Sequence, residues 1–428
     1  MKAWAWGWLL LWAWSAASAA PFEVRRSRES PEHARLVLAP RPGTGRATLH
    51  VLFSVGRFDE GGMVGLTRAS QHVMLEANKR GRYEDLVREL FGANASLTLT
   101  TGLRQSGFTL SAPREDFDRL AQRVLTWVLS PQVDGARLEA ALERTGQDPS
   151  LTVADDFLES VLAQVLSPEP RFKAPVPRNA QAVLSFSDHD VAAHLSGPLS
   201  PRNAVVIAAG DFDAEALRRT VARHKGGTPS AVTRLSPQLP VTLKLPAVSD
   251  INVLAYPIEL GDARQAAAAR VVGVLLGQRL EQRFRRLGVG YAQEASVLLT
   301  PWMDQLVLTL PARDPSALDL GPFMLEEVGA VREGRVSAEE FAQARAQVLA
   351  RLRTDDRSPT EVGLALAASV HAPAWYSPEL ESALASLTPE SLTQTVRGWL
   401  GEERRVHLLF TPSVVPLRST AGTRTRRR

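Results

Sequence analysis

The chain is built twice from one pattern. Four segments of the first half recur, in the same order, about 200 residues later. RATLHVLFSVGRFDEGG (46–62) is matched by DINVLAYPIELGD (250–262), and LVRELFGANA (86–95) by QRFRRLGVGY (282–291). FTLSAPREDFDRL (108–120) is matched by LTLPARDPSALDL (308–320), and NAVVIAAGD (203–211) by RVHLLFTP (405–412). Agreement in order and spacing at four places reads as duplication of one α/β unit. Each copy starts with an apolar strand, a Gly-containing loop and a helix, followed by further strands and helices. In DFDRLAQRVLTWVL, Phe117, Leu120, Ala121, Val124, Leu125 and Val128 share one helical face. Pro113 is expected in the first turn of that helix. Gly, Pro and Ser gather in GGTPSAVTRLSPQLP, which predicts a linker over 226–245.

Composition removes several classes of function. The 428 residues suffice for two large domains, and they include no cysteine. Disulfides, thiolate metal sites and cysteine nucleophiles are thereby excluded. The formal charge of +4 is misleading. Setting aside Lys2 and five tail arginines (Arg418, Arg424, Arg426, Arg427 and Arg428) takes 50 basic residues to 44, against 46 acidic ones. The body is therefore slightly acidic, and a nucleic-acid-binding role is not expected. Residues 1–19 read as a signal peptide: Lys2, a short apolar run over 3–14, and Ala17-Ser18-Ala19 before cleavage after Ala19. A periplasmic or secreted location follows, with no transmembrane segment after cleavage. The expected organisation is an N-terminal half over 20–225, the linker, a C-terminal half over 246–416 and a basic, disordered tail over 417–428.

The duplication supplies an internal control for one stretch, GLTRASQHVML (65–75). Aligned on Gly61 and Gly261, Arg68 falls opposite Ala268, Gln71 opposite Val271 and His72 opposite Val272. The fold is evidently built with small apolar residues at these places. The polar cluster of the first copy is therefore functional, or the remnant of something functional. His189 and His194, five residues apart, read as a surface pair rather than a metal site.

VGRFDEGGMVGLTRASQHVML resembles the N-terminal signature of the pitrilysin/insulinase zinc peptidases, whose site helix carries His-x-x-Glu-His. The resemblance implies an α+β sandwich type of fold. It would have two homologous halves, each a mostly antiparallel sheet with helices packed on it, enclosing a groove or chamber. Set against that motif, the first histidine is replaced by Arg68 and the glutamate by Gln71, and only His72 remains. The resemblance also implies a distal glutamate ligand about 70–77 residues further on, for which Glu143 is the first candidate and Glu139 the second. Hydrolytic zinc wants about three protein ligands and a water. Arginine offers no lone pair, and glutamine cannot take a proton from water. No catalytic residue set is intact and no metal is expected, with His72 and Glu143 the residual candidates. Arg68 is free to pair with Glu143 in place of the metal.

The resemblance further implies a substrate-holding arginine and tyrosine in the second half. Tyr291 matches, but Phe284 stands seven residues before it, leaving Arg285 or Arg286 as the substitute. Peptide substrates in this family add a strand to a sheet edge, which here falls near GANASLTLTT, with Asn94 and Leu97 as candidate contacts. The reading that follows is an exported, non-catalytic subunit of a heterodimeric zinc peptidase. Its partners would be a catalytic insulinase-like subunit and extended peptides. Two alternatives stand beside it: a divergent active metalloendopeptidase that uses zinc, and a stand-alone peptide-binding or scaffold protein of the cell envelope.

Overall fold

The computed structural model describes residues 24–26, 33–148, 157–167, 169, 172, 180–226, 238–247, 250–288, 298–302, 305–313, 319–355, 358–369 and 373–412. The expected signal peptide 1–19, the expected tail 417–428 and Tyr291 lie outside the described residues, as does part of the expected linker 226–245.

The strands are β1 (Arg25–Arg26), β2 (Arg35–Pro40), β3 (Arg46–Phe53), β4 (Ser96–Thr101), β5 (Ser106–Pro113), β6 (Ala204–Gly210), β7 (Val241–Ala247), β8 (Ile251–Glu259), β9 (Leu298–Trp302), β10 (Gln305–Arg313) and β11 (Val406–Pro412). The helices are α1 (Leu66–Glu76), α2 (Tyr83–Gly92), α3 (Arg114–Leu129), α4 (Gly135–Gly146), α5 (Phe157–Leu166), α6 (Asp188–Ser196), α7 (Ala214–Ala222), α8 (Ala263–Arg286), α9 (Gly321–Arg332), α10 (Ala338–Asp355), α11 (Pro359–Ser369), α12 (Leu380–Ser386) and α13 (Pro389–Trp399).

Among the described residues there are two sheets, ordered β1-β2-β6-β3-β5-β4 and β7-β11-β8-β10-β9. The second repeats the first without β1. Each has one parallel step, β2 with β6 and β7 with β11, and is otherwise antiparallel. The strands equivalent by position are those paired from the sequence: β3 with β8, β5 with β10 and β6 with β11. The duplication is thus a repeat of topology as well as of pattern. Among the described residues no helix is long and apolar enough to cross a membrane.

The chain forms two compact units. The first comprises Met1–Pro237 together with Ala350–Tyr376, and the second comprises Gln238–Leu349 and Ser377–Arg428. The expected boundary is therefore amended: 350–376, assigned by sequence to the second half, packs with the first.

Burial in the first unit explains its strand sequences. Along β3, Ala47, Leu49, Val51 and Phe53 face a large core shared with α1 and α3. Leu52 faces the other side, where α11 covers the sheet through Val362 and Leu366. β6 lies between two covered faces and is buried at every residue, which is why AVVIAAG reads as an unbroken apolar run. In α3 the six residues picked out by helical spacing are all buried. Pro113 ends β5 and immediately precedes α3, one position before its expected place in the first turn.

Under α11 lies His50, almost wholly buried, with Nδ1 3.0 Å from Thr109 Oγ1 and Nε2 without a hydrogen bond. Gly363 sits directly over the ring, so that a Cβ added there would lie 2.4 Å from Nε2. Alanine at 363 gains about 1 kcal/mol of helix propensity. Displacing the helix from a rigid ring costs about 1–3 kcal/mol, and should win. Gly363→Ala is thus expected to destabilise the chain in urea unfolding, and to become stabilising when made in His50→Ala. A Gly363→Ala chain more stable than the parent would contradict this packing.

Candidate functional site

The loop before α1 sets up the helix. Gly65 has φ +88°, a left-handed conformation that glycine adopts without strain. Buried Glu60 accepts from the Gly65 amide (2.8 Å) and the Thr67 amide (2.9 Å), so a carboxylate occupies the positive end of α1. Burial still dominates and pushes the Glu60 pKa up to about 6, against the downward pull of these amides. On the buried side, Thr67 Oγ1 lies 3.2 Å from His194 Nε2. His194 is thus not part of a surface pair. It projects from α6 into the interior, and burial holds its pKa down at about 4.

Arg68, His72 and Glu76 follow one another at four-residue steps and form one stripe along α1. Facing the stripe is Asp148, just beyond the C-terminal end of α4. Its Oδ2 receives Arg68 Nε at 2.6 Å and Nη2 at 2.5 Å, and His72 Nε2 lies 3.1 Å away. The other ring nitrogen, Nδ1, is 2.9 Å from Glu76 Oε1. Arg144 Nη1 stands 3.0 Å from Glu76 Oε2, within ion-pair range but outside hydrogen-bonding geometry. Apart from half-exposed Arg144, these side chains are largely shielded, with 6–15% of their surface accessible.

The partner expected for Arg68 needs correction. Glu143 lies on the exposed side of α4, whose buried residues are Leu138, Ala141, Leu142 and Thr145. The helical turn therefore carries its carboxylate to solvent, and Arg68 pairs with Asp148 instead. Asp148 follows His72 by 76 residues and so falls within the expected window. Restricting the search to glutamate missed it. Neither Glu76 nor Arg144 was singled out from the sequence, although Glu76 stands one turn beyond His72.

Gln71 has a different role from the stripe. It is fully buried on the sheet side of α1. Its Nε2 donates to the carbonyls of Thr100 (3.0 Å) and Gly107 (2.9 Å), and its Oε1 accepts from Thr101 Oγ1 at 2.5 Å. Both amide protons are spent on main-chain oxygens, so the side chain ties the site helix to β4 and β5.

The opposite residues in the second copy, Ala268, Val271 and Val272, are core residues of α8. That helix is continuous where the first copy breaks between α1 and α2. Phe284 is likewise buried, while Arg285 is mostly exposed and bonded to Glu281 at 2.5 Å. The structure thus gives Arg285 a solvated helix face. In the first unit, Asn94 turns the chain from α2 into β4 with φ +48°, and its carbonyl accepts from Arg46 Nη2 at 3.3 Å. Leu97 is half-buried on β4, the last strand of its sheet among the described residues.

The donor set does not suit a hydrolytic zinc. Arg68 brings a permanent cation to Asp148, and both ring nitrogens of His72 already stand within hydrogen-bonding distance of carboxylates. Among the described residues no group of three or more histidine, aspartate and glutamate side chains is arranged to hold a metal ion.

Two duplicated, mostly antiparallel sheets with packed helices, and a site helix entered through a left-handed glycine, are the features to set beside known proteins. Residues 190–348 match the family model described as the peptidase M16 inactive domain. A Helicobacter pylori protease superimposes with a TM-score of 0.73 at 12% identity, over 92% of this chain and 100% of that one. A peptidase M16 inactive domain from Pseudomonas fluorescens gives 0.71 at 14%, over 92% and 99%. The first half of the periplasmic protease PqqL from Escherichia coli gives 0.70 at 13%, over 92% and 93%. No curated protein matches by sequence. Residues 190–348 thus resemble the M16, or pitrilysin/insulinase, family, and the fold of the whole chain is similar to that of M16-like proteins.

Proposed function

We propose that this chain is an exported, non-catalytic M16 subunit that holds extended peptides for a zinc-bearing partner subunit of the same fold. One observation carries the reading: the position of the catalytic carboxylate holds Gln71, whose amide protons are committed to the Thr100 and Gly107 carbonyls. A side chain in that state cannot act as a general base. With Arg68 against Asp148, neither part of metal-assisted hydrolysis remains.

The edge position of β4 supports the peptide-binding part. In strand addition, main-chain groups of the edge do the binding, and pockets for alternate side chains set preference. The half-buried Leu97 and Leu99 alternate with exposed Ser96, Thr98 and Thr100, so one face of the strand rests on the core. The same feature favours the second reading, a stand-alone peptide-binding protein, because it needs no partner.

The chain purified alone is expected to bind unstructured peptides without cleaving them. Cleavage should appear when a zinc-containing M16 subunit from the same host is added. Fluorescence anisotropy and mass spectrometry of the peptide check both parts. Cleavage by the isolated chain, abolished by a chelator, would overturn the non-catalytic reading. Peptide binding without any association with a zinc subunit would favour the stand-alone role.

A further inference from the structure

We propose that the Arg68 guanidinium fills the cation position of the former metal site, and so holds the end of α4 against α1 without a metal. Arg68 is on this view a positioning residue. The inference rests on the non-catalytic reading and goes further, since it assigns the degenerate site a structural task.

The geometry has three parts. A single oxygen, Asp148 Oδ2, takes both Arg68 contacts and lies near His72 Nε2. That convergence of nitrogens puts a protein cation on the carboxylate where a bound metal ion would otherwise stand. The arrangement then continues through His72 Nδ1 to Glu76 and on to Arg144, which also comes from α4. α1 and α4 are thus joined at both ends of the stripe, by Arg68 with Asp148 and by Glu76 with Arg144. Finally, the charges nearly balance: two arginines stand against two carboxylates, with the histidine between them. Charge-assisted bonds of this length in a largely shielded setting are stronger than those between solvated partners.

In the second copy the corresponding helix has buried Ala268 at this place. The first copy keeps the polar side chains of a metal site, and a protein cation supplies the missing charge. Arginine suits this role because its flat, permanently charged fork reaches the carboxylate through two nitrogens.

The test uses the full mature chain and three substitutions, read by zinc content after dialysis and by thermal melting with zinc or with a chelator. These readouts do not involve peptides or a partner subunit, so failure of the peptide-binding reading leaves them unaffected. The parent chain should retain far less than one zinc per chain and melt at the same temperature in both buffers. Arg68→Ala should melt about 5 °C lower in chelator, and Arg68→Lys between the two. Arg68→His would place two histidines one turn apart beside Asp148, a three-donor set. It should take up about one zinc and melt several degrees higher with zinc than with chelator. Near-stoichiometric zinc in the parent, lost in His72→Ala, would overturn the proposal. So would an Arg68→Ala chain that melts like the parent, or an Arg68→His chain indifferent to zinc.

Discussion

Gln71→Glu is expected to destabilise the chain by about 3 kcal/mol and to restore no hydrolysis. The substitution rebuilds the carboxylate of an active site helix, so it is the natural attempt at revival. In this protein the side chain is fully buried and faces two carbonyl oxygens. A carboxylate cannot donate to either. It would leave both acceptors unpaired and set a charge against them, and each loss of this kind costs about 1–3 kcal/mol. Protonation would recover one of the two bonds at most. Gln71→Ala loses the same bonds without adding a charge and should cost less, about 2 kcal/mol. Urea unfolding of the three chains ranks them directly. A Gln71→Glu chain as stable as the parent would mean that the tie to β4 and β5 contributes nothing.

The largest pH effect should be a loss of stability in acid, near 4 kcal/mol between pH 7 and pH 4. Three buried groups in the first unit set its sign. His50 and His194 are both held down at about 4 by burial, from an ordinary 6.5. Their contributions are present above pH 6.5 and are lost as the pH falls towards 4, because the unfolded chain takes up the protons first. Each is worth about 3 kcal/mol at pH 4. Glu60 works in the other direction. Its pKa is raised from 4.5 to about 6, so its contribution is full below 4.5 and is lost as the pH rises through 6. That returns about 2 kcal/mol on acidification. Two histidines outweigh one carboxylate, so the net effect is a loss. Melting temperatures at pH 7, 5 and 4 should fall in step, and His194→Gln should flatten the decline. A chain that melts at the same temperature throughout this range would refute the assignment.

Much of the fold was legible because it rests on patterns of burial. The α3 face, the β6 run and the correspondence of β3 with β8 come from apolar spacing, which core packing enforces at many residues at once. The return of α11 to the first sheet was not legible. It depends on Val362 and Leu366 meeting residues more than 150 positions earlier in the chain, and local periodicity says nothing about which sheet a helix covers. The site divides along the same line. Arg68, Gln71 and His72 stood out because a second copy showed what their places require. The partner of Arg68 was misread because the choice between Glu143 and Asp148 turns on which way the last turn of α4 points. Gln71 was read only as a lost base, since its two carbonyl partners are backbone atoms that leave no trace in side-chain sequence.

The return of α11 also bears on the order in which this protein can be completed during synthesis. The outer face of the first sheet exposes Val37, Ala39, Leu52, Val205, Ile207 and Ala209 until residues 359–369 arrive. In chain order, most of the second unit precedes that segment. The amino-terminal half must therefore wait, with an apolar sheet face uncovered, while well over a hundred further residues are added. Cutting the gene at the linker would leave that wait permanent. The two halves repeat one topology, yet the first sheet is covered by a segment that follows most of the second half in the chain.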